Sequence, residues 1–110
     1  MEVKHYKEGE VVVIEVSGKL DTSAAKTFES NLFEVINQNE KNILVDCSKL
    51  VFIASSGLRV FLMGLKHMNK TNGKFSLCAL NELIYEVFDV SGFTPIFTIY
   101  DTKEEALENF

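Results

Sequence analysis

The run Ile43-Leu44-Val45, set between Asn42 and Asp46, constrains the fold more than any other stretch of the chain. It is too short for a helix and apolar at every position, so it predicts a strand in the interior of a sheet, covered on both faces. The flanking segments supply helices to cover it. Ahead of it, Ala25, Phe28, Leu32, Val35 and Ile36 recur at spacings of three and four, the pattern of an amphipathic helix that ends in Asn37-Gln38-Asn39-Glu40-Lys41-Asn42. Behind it, Leu58, Phe61, Leu62 and Leu65 mark a second helical stripe, stopped by Asn72-Gly73.

The remaining segments extend this alternation. Val3 to Tyr6 and the β-branched run Val11 to Val16 flank a Lys7-Glu8-Gly9-Glu10 turn, which predicts an antiparallel hairpin closed by Ser17-Gly18. Lys74 to Cys78 reads as a further strand. Asn81 is placed to cap a third helix with apolar positions Ile84, Val87 and Phe88, and Ser91-Gly92 to end it, with Phe93 folding back. Ile96 to Tyr100 reads as the last strand, and Thr102-Lys103-Glu104-Glu105 as a capping box opening a short final helix. The order β-β-α-β-α-β-α-β-α predicts an α/β fold with a mixed, mostly parallel sheet flanked by helices.

The chain's 110 residues fit one domain, 1–110, and 46% hydrophobic content is enough for a single core. No apolar run approaches the roughly 18 to 20 residues of a membrane span. The opening Met1-Glu2-Val3-Lys4-His5 lacks an apolar signal segment, so a cytoplasmic protein without membrane insertion is expected. Cys47 and Cys78 are too few for a disulfide framework and read as reduced, half-buried thiols. With 16 acidic against 11 basic residues, the net charge of −5 argues against nucleic acid as a partner.

Little in the chain suggests catalysis. His5, His67, Cys47 and Cys78 have no metal-ligand spacing, so neither a metal nor a cofactor is expected. Ser55-Ser56-Gly57 lacks the G-x-S-x-G frame of a hydrolase elbow, and neither histidine is placed to act as its base. No glycine-rich phosphate loop is present. The serine pair allows two readings. Ser55 can cap the helix after it, its hydroxyl accepting from a first-turn amide, with Gly57 permitting close packing. Alternatively Ser55 is a modification site, since a phosphate there would face free amides and the positive end of the helix dipole. Val60, Met63 and His67, beside the core stripe, are either a wide core face or a docking patch. Asp21, at a strand end before a helix, suits the helix dipole.

Gly18-Lys19-Leu20-Asp21, Val45-Asp46-Cys47-Ser48 and Phe52-Ile53-Ala54-Ser55-Ser56-Gly57-Leu58, in that order, resemble a STAS domain. The likeness runs end to end and includes Phe88-Asp89-Val90-Ser91-Gly92-Phe93. With nothing fused to the domain, the chain most resembles the free-standing bacterial anti-sigma factor antagonists. The resemblance implies a non-enzymatic regulator that binds an anti-sigma factor, itself a serine-protein kinase, and so releases a sigma factor. It further implies that the kinase ends binding by phosphorylating the serine matched by Ser55, and that a phosphoserine phosphatase restores it. Asp21, Thr22, Ser23, Ala54, Ser56, Gly57 and Arg59 are the partner-facing positions it implies, on a chain expected to be monomeric. Ala54 departs from the family pattern, since many members carry Asp there; its loss removes one charge from the kinase-facing loop. The alternative the resemblance leaves open is a STAS subunit of a membrane lipid-transport complex of the ABC type, docking on the transporter ATPase. A small serine-dependent enzyme is the remaining class, and fluorophosphonate labelling of Ser55 would reveal it.

Overall fold

The hairpin forms as its alternation predicts, from β1 (Glu2–Glu8) and β2 (Val11–Leu20), paired antiparallel with Tyr6 opposite Val13. The structure is a computed structural model and describes residues 1–110. After β2 the chain alternates: α1 (Thr22–Ile36), β3 (Asn42–Ile53), α2 (Ser55–Lys70), β4 (Lys74–Cys78), α3 (Glu82–Val90), β5 (Thr98–Tyr100) and α4 (Lys103–Glu108). The five strands lie in sequence order, and every pair after β1–β2 is parallel. The mixed α/β sheet and element order expected from the sequence are those of the structure.

Burial explains the layering. Alternate residues of β2 and β3 (Val12, Ile14 and Val16; Ile43, Val45 and Cys47) join Phe28 and Leu32 of α1, Phe61 and Leu65 of α2, and Ile84 and Phe88 of α3 in one large core. The opposite sheet face carries a smaller cluster of Val11, Val13, Leu44 and Cys78 under Ala106 of α4. Three helices thus cover one face and a short one the other. All five predicted core positions of α1 are buried, as are Leu58, Phe61 and Leu65 of α2, whereas Leu62 is only partly covered.

The caps obey local chemistry. Asn81 Oδ1 accepts the Ile84 amide at 2.9 Å. At the other end of α3, Gly92 takes φ +77°, and the Phe93 amide returns to the Phe88 carbonyl at 2.9 Å. This closure satisfies carbonyls that the helix end would leave free. Thr102 Oγ1 accepts the Glu105 amide at 3.1 Å, but the returning Glu105 carboxylate takes the amide of Asp101, one residue before the cap.

Four expectations need correction. The Ile43–Val45 strand runs on to Ile53, and β2 runs past Ser17-Gly18 to Leu20 because the two strands pair over that whole length. The last strand begins at Thr98, because the Ile96 and Phe97 amides are still turned back to the Phe93 carbonyl. Cys47 and Cys78 are fully buried, not half-buried, and unpaired. Burial raises the Cys47 thiol well above its ordinary pKa. It also raises Cys78, helped by the neighbouring Asp46 charge, to about 12. Both thiols are therefore protonated and inert at neutral pH.

Candidate functional site

Two parallel strands ending side by side set up the site. Leu20 pairs with Ile53 at the last register position of β2 and β3, and each strand then turns at once into a helix. The Ala54 amide donates to the Leu20 carbonyl at 2.9 Å and ties the two turns together. The N-termini of α1 and α2 consequently emerge next to each other. Gly57 fixes how closely: a Cβ there would lie 2.7 Å from Leu20 Cγ and 3.1 Å from Ile53 Cγ1. Those separations are too tight for a side chain without displacing its neighbours, so glycine lets α2 settle on the ends of β2 and β3. The expectation of close packing at Gly57 holds.

The two N-termini are finished differently. At α1, Asp21 is the cap: its Oδ1 accepts the Ala24 amide at 2.9 Å and the Ser23 hydroxyl at 3.1 Å. The Ala24 amide first, then the Ser23 hydroxyl, hold the Asp21 carboxyl below its ordinary pKa. At α2 the cap residue is Ala54, in extended conformation, and no side chain accepts a first-turn amide. Its carbonyl takes the amides of Gly57 and Leu58 at 2.9 and 3.1 Å. The expected capping role of Ser55 is therefore wrong. Ser55 is already the first helical residue, because the bond to Leu20 keeps Ala54 in line with the strand and starts the helix immediately after it. From that position the Ser55 hydroxyl accepts no first-turn amide.

Ser55 is exposed, whereas the Ser56 hydroxyl is buried and is the chain's only buried side-chain polar atom without a hydrogen-bond partner. Thr22, Ser23 and Arg59 are exposed, Ala54 is partly covered and Gly57 is buried. Between α1 and α2 runs a groove of about 310 Å³ lined by Thr22, Lys26 and Glu29 on one wall and Ser56, Arg59 and Met63 on the other. Lys26 and Glu29 had no distinguishing sequence signal; only the approach of the two helices brings them here. The undecided stripe on α2 belongs mainly to the core. Val60 is buried, and His67 packs edge-on against Phe33 of α1, ring centres 5.9 Å apart.

The structure has no group of histidine, cysteine and carboxylate side chains arranged to hold a metal. No helix is long and apolar enough to cross a membrane. At Ser55 the arrangement offers an exposed hydroxyl at the start of a helix that no side chain caps.

The STAS domain family model matches residues 2–106. The anti-sigma F factor antagonist of Paenibacillus polymyxa is 30% identical over 108 residues, covering 97% of this chain and 91% of that protein. Among solved structures, SpoIIAA in its unphosphorylated form superposes with a TM-score of 0.85 at 25% identity, covering 98% of this chain and 95% of that one. The phosphorylated form of Bacillus SpoIIAA superposes with a TM-score of 0.77 at 25% identity, covering 98% of each chain.

Proposed function

Because the chain belongs to the STAS domain family, we propose that it is an anti-sigma factor antagonist controlled at Ser55. In this reading it binds an anti-sigma factor that is also a serine kinase and thereby frees a sigma factor. Phosphorylation of Ser55 ends binding, and a phosphoserine phosphatase restores it. The adjoining turns form the contact face, with Asp21, Thr22, Ser23 and Arg59 as exposed contacts around Ala54, Ser56 and Gly57.

The observation that carries the reading is the contrast within the serine pair. A kinase needs a hydroxyl it can reach, and Ser55 is exposed while the Ser56 oxygen is buried. An anion on Ser55 also meets the positive end of a helix that no side chain caps. The modified protein therefore keeps its fold, and the phosphate acts where the partner docks. A buried unpaired charge at an interface costs a few kcal/mol, a loss of about tenfold to a thousandfold in affinity. In support, a relative whose phosphorylated form is solved shares this chain's fold over 98% of its length.

The test is to incubate wild type and Ser55→Ala with the cognate kinase and ATP and weigh both by intact mass spectrometry. Wild type gains one phosphate and the variant none, while the variant still binds the anti-sigma factor. Phosphate on the variant at wild-type level would refute Ser55 as the site.

A further inference from the structure

Arg59 and Lys26 are two exposed cations on opposite walls of the α1–α2 groove. Neither has a carboxylate within ion-pair distance, since the chain's one ion pair joins Lys7 to Glu40 at 3.4 Å. The buried Ser56 hydroxyl, without an acceptor, lines the same groove. Donors therefore gather in a groove that opens at Ser56, next to Ser55 in the chain, and neither cation is paired with the one carboxylate there, Glu29.

Helical geometry makes one of these cations a neighbour of Ser55. Arg59 lies four residues further along α2, a spacing that brings Cβ atoms to about 5 to 6 Å. Helical side chains tilt toward the N-terminus, which brings the turn that holds Ser55 within the reach of Arg59. An anion four residues ahead of a cation is also the favourable order along a helix. A phosphoserine brings about −1.5 to −2 charges and three acceptor oxygens, which a guanidinium fork can hold with two parallel bonds.

We infer that Arg59 is the intramolecular receiver of a phosphate on Ser55, with Lys26 across the groove as a second, weaker cation. The inference rests on Ser55 being the modified serine. It adds a consequence for the switch: phosphorylation changes two charges on the contact face, because it also occupies an arginine that is free in the unmodified protein. Asp21 and Glu29, carboxylates of the α1 side, oppose the phosphate but do not pair with Arg59 in the unmodified chain.

The experiment places phosphoserine at position 55 of the full chain by genetic encoding, which needs no kinase, and tracks the phosphate through a pH titration by phosphorus NMR. In wild type the second phosphate ionisation falls at least about half a unit below that in Arg59→Gln. Arg59→Lys recovers part of the difference, and Lys26→Gln gives a smaller shift than Arg59→Gln. The helix amides act equally in all variants, so the differences isolate the side chains. Coincident titrations of wild type and Arg59→Gln would overturn the inference while leaving Ser55 as the kinase site. Conversely, a kinase that modifies another residue removes the premise, and the titration still reports whether Arg59 holds the phosphate.

Discussion

The starts of α1 and α2 are neighbours built from similar strand ends, yet they are finished in opposite ways. Asp21 closes the first with a carboxylate that accepts a backbone amide and a hydroxyl. Ala54 leaves the second without any side-chain acceptor. Stability alone would favour a side-chain cap at both. The contrast separates a terminus that is closed for the sake of the fold from one that is left open. The open terminus is the one that carries the exposed serine, and it is the one able to accept an added anion.

The largest change to this pair of termini comes from driving them apart. Gly57→Val puts side-chain atoms onto Leu20 and Ile53, whose side chains are in the core. Overpacking of this kind costs about 1 to 3 kcal/mol or more, which denaturant unfolding reads as a lower midpoint at unchanged slope. A midpoint equal to wild type would mean that glycine is not needed for the close approach.

Removing the buried hydroxyl acts in the other direction. Ser56→Ala eliminates an unpartnered polar atom and is expected to stabilise the fold by up to about 1 kcal/mol in the same assay. The variant should still gain one phosphate on kinase treatment, since its acceptor is Ser55, and intact mass checks this.

Making the second terminus resemble the first is a sharper test with a smaller effect. Ala54→Asp supplies the missing cap and should add about 0.5 to 1 kcal/mol. It should also make the phosphorylated form less favourable, because the new carboxylate occupies the amides and repels the phosphate. Thermal unfolding of modified and unmodified variants reads both effects.

Undoing the first terminus gives the smallest effect, because Asp21 is exposed. Asp21→Ala frays the first turn of α1 and lowers the melting temperature by no more than a few degrees. Its folded-state pKa lies below the ordinary 3.8, so its contribution is full above that value and is lost as pH falls through the folded one. The gap between wild type and variant should therefore close in acid, measured by melts between neutral pH and about pH 2.

Local chemistry made most of the fold legible in the sequence, and the site only partly so. The five-residue stripe of α1, the Asn81 cap and the Gly92 closure each depend on neighbours along the chain, and each forms as read. The long end of β3 does not. Ser48, Lys49, Val51 and Phe52 are exposed and break any strand period, and they are extended because β2 lies alongside. That pairing includes register shifts between Glu15 and Ser17 and between Gly18 and Lys19, which have no local signature. The same pairing defeated the reading of Ser55 as a cap, since it holds Ala54 extended and moves the helix start. A serine pair before an apolar stripe carries the propensity of a cap, and tertiary structure overrode it.

A phosphate on Ser55 is thus expected to act locally, at an open helix terminus, without remodelling the domain. Amide NMR spectra of the unmodified and Ser55-phosphorylated protein test this without intermediaries. Local action confines the shifts to residues 54–59 and the turn around Asp21, with the Ile43 to Val45 stretch of β3 and the Ile84 to Phe88 stretch of α3 unchanged. Widespread shifts through those two buried stretches would refute it and mark the switch as a rearrangement of the core.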